Sequence, residues 1–135
     1  MYKCCIFDLD GTLVNSIYAI QKSVNDTLSY WNMREISVEE SRLYVGDGYK
    51  KLLERSLIAC GDKELAHYDE AVDRYQDIFQ KCCMYRVEAY EGIRELLEFL
   101  KSQGIFIAVL SNKPHPRTLD NVEGVFGKGY FDLVY

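Results

Sequence analysis

The reading turns on Lys3-Cys4-Cys5-Ile6-Phe7-Asp8-Leu9-Asp10-Gly11-Thr12. A compact apolar run ended by an acidic turn suits a strand buried inside a parallel sheet. Ligands of open parallel sheets bind at the carboxyl ends of the strands, where this turn falls. Residues two apart on an extended backbone face the same way, so Asp8 and Asp10 are expected to point into one crevice. Two carboxylates so close repel, and one takes a proton unless a cation sits between them. Oxygen-only ligation beside a phosphate suits Mg²⁺, which takes one or two carboxylates and keeps several waters. Gly11 permits a tight turn and close approach of the backbone to a ligand. The plainer reading is a polar strand end and a glycine turn. Average residue usage gives such a fixed four-residue pattern only about once in a hundred thousand start positions, which favours the chemical reading.

Beyond Ser16 the period changes. Ile17, Ile20, Val24, Leu28 and Trp31 follow helical spacing, as do Leu65, Tyr68, Val72, Tyr75, Phe79 and Cys82. Ser37-Val38-Glu39-Glu40 has the form of a capping box, and Tyr49, Leu52, Leu53 and Leu57 form another stripe after the Gly46-Asp47-Gly48 turn. Ile93, Leu96, Leu97 and Leu100 mark a helix stopped by Gly104. Ile105 to Leu110 reads as a second strand ended by Ser111-Asn112, a short helix starts near Arg117, and Phe131 to Tyr135 reads as a third strand. Strands separated by helices imply a parallel sheet with right-handed crossovers. The expected fold is an α/β, Rossmann-like core of residues 1–14 and 89–135, with residues 15–88 inserted as an all-helical unit. Three strands make a thin sheet with bare edges, and the chain stops inside an apolar run; the reading favours a fragment over a minimal domain.

Composition narrows the partners. Sixteen basic against 21 acidic residues give a net charge of −5, which leaves no basic face for nucleic acid. No apolar stretch approaches the ~20 residues that cross a bilayer, and the acid-interrupted N-terminus does not read as a signal peptide. The five cysteines include the adjacent pairs Cys4-Cys5 and Cys82-Cys83, which rarely bridge; all five are read as reduced thiols of a cytoplasmic protein. No zinc site is expected from His67 and His115. The first reads as a surface residue and the second as part of a rigid turn between Pro114 and Pro116.

The apolar strand running into Asp8-Leu9-Asp10-Gly11-Thr12-Leu13-Val14-Asn15-Ser16 resembles the first motif of the haloacid dehalogenase superfamily. Ser111-Asn112-Lys113-Pro114 resembles the second motif of its phosphoglycolate-phosphatase-like branch, and Gly46-Asp47-Gly48 and Tyr90-Glu91-Gly92 fall where that branch has similar turns. The resemblance implies that Asp8 attacks phosphorus to form an aspartyl-phosphate. Asp10 then serves as general acid and afterwards as general base. It implies Mg²⁺ held by the Asp8 carboxylate and the Asp10 carbonyl. Phosphate contacts are implied for Leu9, Asp10, Gly11, Thr12, Ser111, Asn112 and Lys113. A solvated loop lysine is an equally good reading of Lys113. The inserted helices correspond to the branch's small cap, where Gly46, Asp47 and Gly48 either meet substrate or simply turn the chain.

Two later motifs of the family, a lysine and an acidic pair, have no counterpart here and would lie beyond residue 135. Little or no activity is therefore expected of this chain alone. The substrate class implied is a small phosphorylated metabolite, with phosphoglycolate, pyrophosphate, a nucleoside monophosphate and a sugar phosphate all open. A β-phosphoglucomutase-like phosphotransferase is a rival that Thr12 disfavours. A non-catalytic binding module is another, and it has no use for two acids facing one crevice. Oligomeric state is not legible.

Overall fold

The computed structural model describes residues 1–135, which divide into two compact units. One comprises Met1–Ser16 with Arg86–Tyr135, the other Ile17–Tyr85. The sequence reading placed the seams at 14/15 and 88/89. They shift because β2 (Val14–Asn15) pairs antiparallel with β3 (Glu88–Ala89), Val14 opposite Ala89. This ribbon ties both ends of the insertion to the first unit, and two-residue strands carry no periodicity from which to foresee it.

In the first unit β1 (Cys4–Phe7), β4 (Phe106–Val109) and β5 (Leu133–Val134) form a parallel sheet in the order β1-β4-β5. Register runs from Cys4 opposite Phe106 to Phe7 opposite Val109. The β4–β5 ladder is shorter than the expected Phe131–Tyr135 strand, since Phe131 turns inward and is buried. Between the strands lie α5 (Ile93–Ser102) and α6 (His115–Phe126), the latter starting two residues earlier than expected with Pro116 in its first turn. Leu97 and Leu100 of α5 and Val122 and Phe126 of α6 pack with Leu9, Leu13, Ile107 and Val109 into one core. Each fully buried Leu or Val there contributes about 1.5–3 kcal/mol. The α/β reading holds.

The second unit is helical: α1 (Ile17–Leu28), α2 (Val38–Tyr44), α3 (Tyr49–Ala59) and α4 (Tyr68–Cys82). The α1 stripe of Ile17, Ile20, Val24 and Leu28 is buried as the spacing requires. Ser23 and Thr27, buried between them, return their hydroxyls to the carbonyls of Ala19 and Ser23 at 2.7 and 2.8 Å. Asn32, at φ 53°, accepts the left-handed turn that closes the 3₁₀ segment Ser29–Trp31. The capping box is present: Ser37 Oγ accepts from the Glu40 N–H at 3.1 Å, and Glu40 Oε2 accepts from the Ser37 N–H at 2.8 Å. The stripe drawn from Leu65 starts too early. Leu65 has φ 55°, and α4 begins only at Tyr68, after the buried Asp62 carboxylate has taken the N–H groups of Ala66 and His67. His67 is not a plain surface residue; its ring stacks on Trp31 at 4.7 Å.

Candidate active site

The site grows from the end of β1. Leu9, fully buried, anchors the chain in the core, and its carbonyl accepts from the N–H groups of Thr12, Leu13 and Val14 at 3.0–3.2 Å. That wraps residues 9–14 into one tight loop. Gly11 sits at φ 79°, a conformation that costs a residue with a Cβ, and its N–H reaches the Val14 carbonyl at 3.0 Å. Buried Leu9 fixes the register of the acids around it. Asp8 is solvent-exposed and accepts the Leu9 N–H on Oδ1 at 2.8 Å. Asp10 is partly buried, and its Oδ1 accepts from Ser16 Oγ at 2.5 Å and from Lys113 Nζ at 2.8 Å.

For Lys113 the structure decides against one of the two sequence readings. Its side chain is only 6% exposed, so it is no solvated loop lysine. Besides Asp10 it donates to Asn121 Oδ1 at 2.5 Å, and Asn121 is itself fully buried on α6. The ammonium therefore bridges the β1 loop to α6. It also alters the expectation that only a cation from solution relieves the crowding of Asp8 and Asp10, since a protein cation already lies against Asp10. Ser16 and Asn121 were missed. A buried Asn between Thr118 and Val122 on an otherwise core-facing stripe was the available signal for one. For Ser16, one of several hydroxyls in the segment, the sequence carried none.

Ser111 leaves β4 at the same edge of the sheet as Asp8 leaves β1, because Phe7 pairs with Val109 and the Leu110 N–H reaches the Phe7 carbonyl at 2.8 Å. Its Oγ accepts from the Lys113 N–H at 3.1 Å, a local turn that leads into α6. Thr12 and Asn112 are exposed on their loops. In the helical unit, Gly46 and Gly48 both have positive φ, and the Asp47 carboxylate accepts from Arg55 Nη2 at 2.6 Å. Arg55 also donates to the Tyr44 carbonyl at 2.9 Å, so the Gly46-Asp47-Gly48 turn is stapled from within.

No three His, Cys, Asp or Glu side chains converge as metal ligands. Mg²⁺ needs no such cluster: it binds through one or two carboxylates, waters and phosphate oxygens. The exposed Asp8 carboxylate keeps one oxygen outside its bond to Leu9, and no main-chain donor takes the Asp10 carbonyl. These donors fit such an ion.

The profile of the haloacid dehalogenase-like hydrolases matches residues 5–135. A phosphoglycolate phosphatase of Nitrosospira multiformis is 30% identical over 134 residues, covering 98% of this chain and 59% of its own length. One from Aquifex aeolicus is 31% identical, with 98% and 59% covered. The fold is similar to the crystal structure of a predicted phosphoglycolate phosphatase from Haemophilus somnus 129pt, with a TM-score of 0.89 and 25% identity over 98% of this chain and 61% of the other. This chain thus spans about three-fifths of the length of these relatives. An apolar strand delivering Asp8 and Asp10 to the sheet edge beside Ser111, matched across nearly every residue, means that the chain belongs to the haloacid dehalogenase-like hydrolases.

Proposed function

We propose that this chain carries the nucleophile-bearing part of a Mg²⁺-dependent phosphomonoester hydrolase acting on a small phosphorylated metabolite such as phosphoglycolate. The observation behind this reading is the pair of differently placed acids on one loop: Asp8 exposed at the strand end, Asp10 drawn back against Ser16 and Lys113. Exposure suits Asp8 as nucleophile: its carboxylate oxygen forms the bond to phosphorus as the ester P–O bond breaks. Asp10 protonates the leaving alkoxide, then removes a proton from the water that attacks the aspartyl-phosphate. Inorganic phosphate leaves and the Asp8 carboxylate is restored. Mg²⁺, when bound at Asp8 and the Asp10 carbonyl, would supply positive charge to the transferring phosphoryl oxygens. Ser111 Oγ and the N–H groups of residues 9–12 lie on the segments that would donate to those oxygens. In this reading Ile17–Tyr85 is the cap, and the five unbridged thiols suit a protein that works in the cytoplasm.

The test is phosphate release from phosphoglycolate and a panel of small phosphate esters. It is run with Mg²⁺ or EDTA on the chain alone and on the chain co-expressed with the remaining portion of the Aquifex relative. Little turnover is expected from the chain alone. In the co-expressed pair, Mg²⁺-dependent release and a hydroxylamine-sensitive phosphoryl group on Asp8 are expected, both abolished by Asp8→Asn. Release that survives Asp8→Asn would overturn the mechanism.

A further inference from the structure

The inward stripe of α6 carries polar side chains in places where apolar ones would pack as well. Thr118 and Asn121 are both fully buried, next to the core residue Val122. Asparagine is a poor helix former, and a buried amide costs free energy unless it is hydrogen-bonded. Both residues direct their side chains at Lys113. Thr118 shares its hydroxyl between the Lys113 and Pro114 carbonyls at 3.2 and 3.3 Å, and Asn121 Oδ1 accepts from Lys113 Nζ at 2.5 Å. Ser111 Oγ accepts from the Lys113 N–H at 3.1 Å. The lysine is therefore held at its N–H, its carbonyl and its ammonium, which leaves little freedom to an otherwise flexible side chain.

The held ammonium acts on one atom. It donates to Asp10 Oδ1 at 2.8 Å, the same oxygen that accepts from Ser16 Oγ at 2.5 Å. Two donors on Oδ1 fix the rotation of the carboxylate, and Oδ2 receives neither of them in a side chain that is 28% exposed. The neutrality of residue 121 matters to this arrangement. An amide oxygen anchors the ammonium without competing for its charge. A carboxylate in its place would take the stronger, charge-assisted bond for itself and slacken the one to Asp10. An apolar side chain of the same shape would give the ammonium no anchor on α6.

We propose that Asn121 is a positioning residue: through Lys113 it clamps the Asp10 carboxylate by Oδ1 and so makes Oδ2 the atom that exchanges the proton with substrate and water. This role rests on the phosphatase reading of Asp8 and Asp10. As Asp8 bonds to phosphorus and the ester P–O bond breaks, Oδ2 gives its proton to the departing alkoxide oxygen. It takes one back from the water that attacks the aspartyl-phosphate. A fixed Oδ2 matters most when the leaving group is an alkoxide, which departs poorly without a proton. It matters least for p-nitrophenolate, which leaves without one.

The test compares Asn121→Asp and Asn121→Leu with wild type, in the chain alone and in the co-expressed pair. In the chain alone, the ¹⁵N ammonium signal of Lys113 should exchange slowly and couple through its hydrogen bond to the Asp10 carboxyl carbon. Both variants should diminish that coupling while a melting transition persists. In the pair, kcat/KM covers the steps up to departure of the alcohol. Both variants should lower it on the order of tenfold for phosphoglycolate, a part of the roughly 10²–10⁴ that general acid catalysis supplies, and keep it within about twofold for p-nitrophenyl phosphate. An equal fall for the two esters would make Asn121 a residue of the fold alone, and no fall in either would make it idle. Each result overturns the proposal, as does a wild-type chain without the coupling or the loss of folding in both variants. The reading beneath it is judged on other arms. A wild-type pair that releases no phosphate, or release that survives Asp8→Asn, removes the phosphatase reading and this role with it.

Discussion

Asp10 and Lys113 are the side chains whose pairing is most open to direct measurement. With the Lys113 side chain buried against Asp10 and Asn121, Lys113→Met leaves polar partners without their donor. A hydrogen bond to a charged group contributes about 1.5–3 kcal/mol, and partial exposure of Asp10 lowers the figure, so a loss of about 1–2 kcal/mol is expected in urea unfolding. A double-mutant cycle with Asp10→Asn should return a coupling of at least about 0.5 kcal/mol. Additivity would mean that the contact carries nothing. The acids themselves were legible from spacing and strand context. The lysine's burial was not, because 103 positions separate it from Asp10 and only the β1–β4 pairing brings the two loops together.

Among the helices, α2 offers the sharpest local test. Ser37→Ala removes one half of the capping box and should cost about 1 kcal/mol, read as a lowered urea midpoint with an unchanged slope. Hydrogen bonds from Arg34, ahead of the one from the Ser37 N–H, hold the Glu40 carboxyl down at about 2 against an ordinary 4.5. A lowered carboxyl stabilises the fold above the unfolded value and loses that contribution as pH falls from about 4.5 through about 2. Glu40→Gln should therefore flatten stability against pH in that window and leave its slope near neutrality alone; an unchanged acid limb would rule the linkage out. At the other end of the range, Tyr130 is pushed up to about 12, first by burial and then by its bond to Glu98. That contribution is present below about 10 and is lost as pH rises toward about 12, so Tyr130→Phe should flatten the alkaline limb. The capping box was readable because its four residues are contiguous. The start of α4 was not, because Leu65 matches the apolar stripe while its backbone is left-handed.

At the scale of the whole molecule, substitutions at adjacent positions of β4 should report how unevenly it is buried. Ile107→Ala, fully buried in the core, should cost about 2–5 kcal/mol, whereas Phe106→Ala next to it, 44% exposed, should cost under about 1 kcal/mol. Equal losses in thermal or urea unfolding would mean that Phe106 is packed as tightly as Ile107. The class of fold, the helical insertion, and the acids at the first strand's tip follow from local pattern: apolar runs of strand length, helical spacing and a turn that only certain residues permit. Those signals act over a few neighbouring positions, so they can be read without a fold. The ribbon that joins the two ends of the insertion and the burial of Lys113 beside Asp10 depend on contacts between distant segments. Such contacts carry no local periodicity, and for that reason only the folded chain decides them.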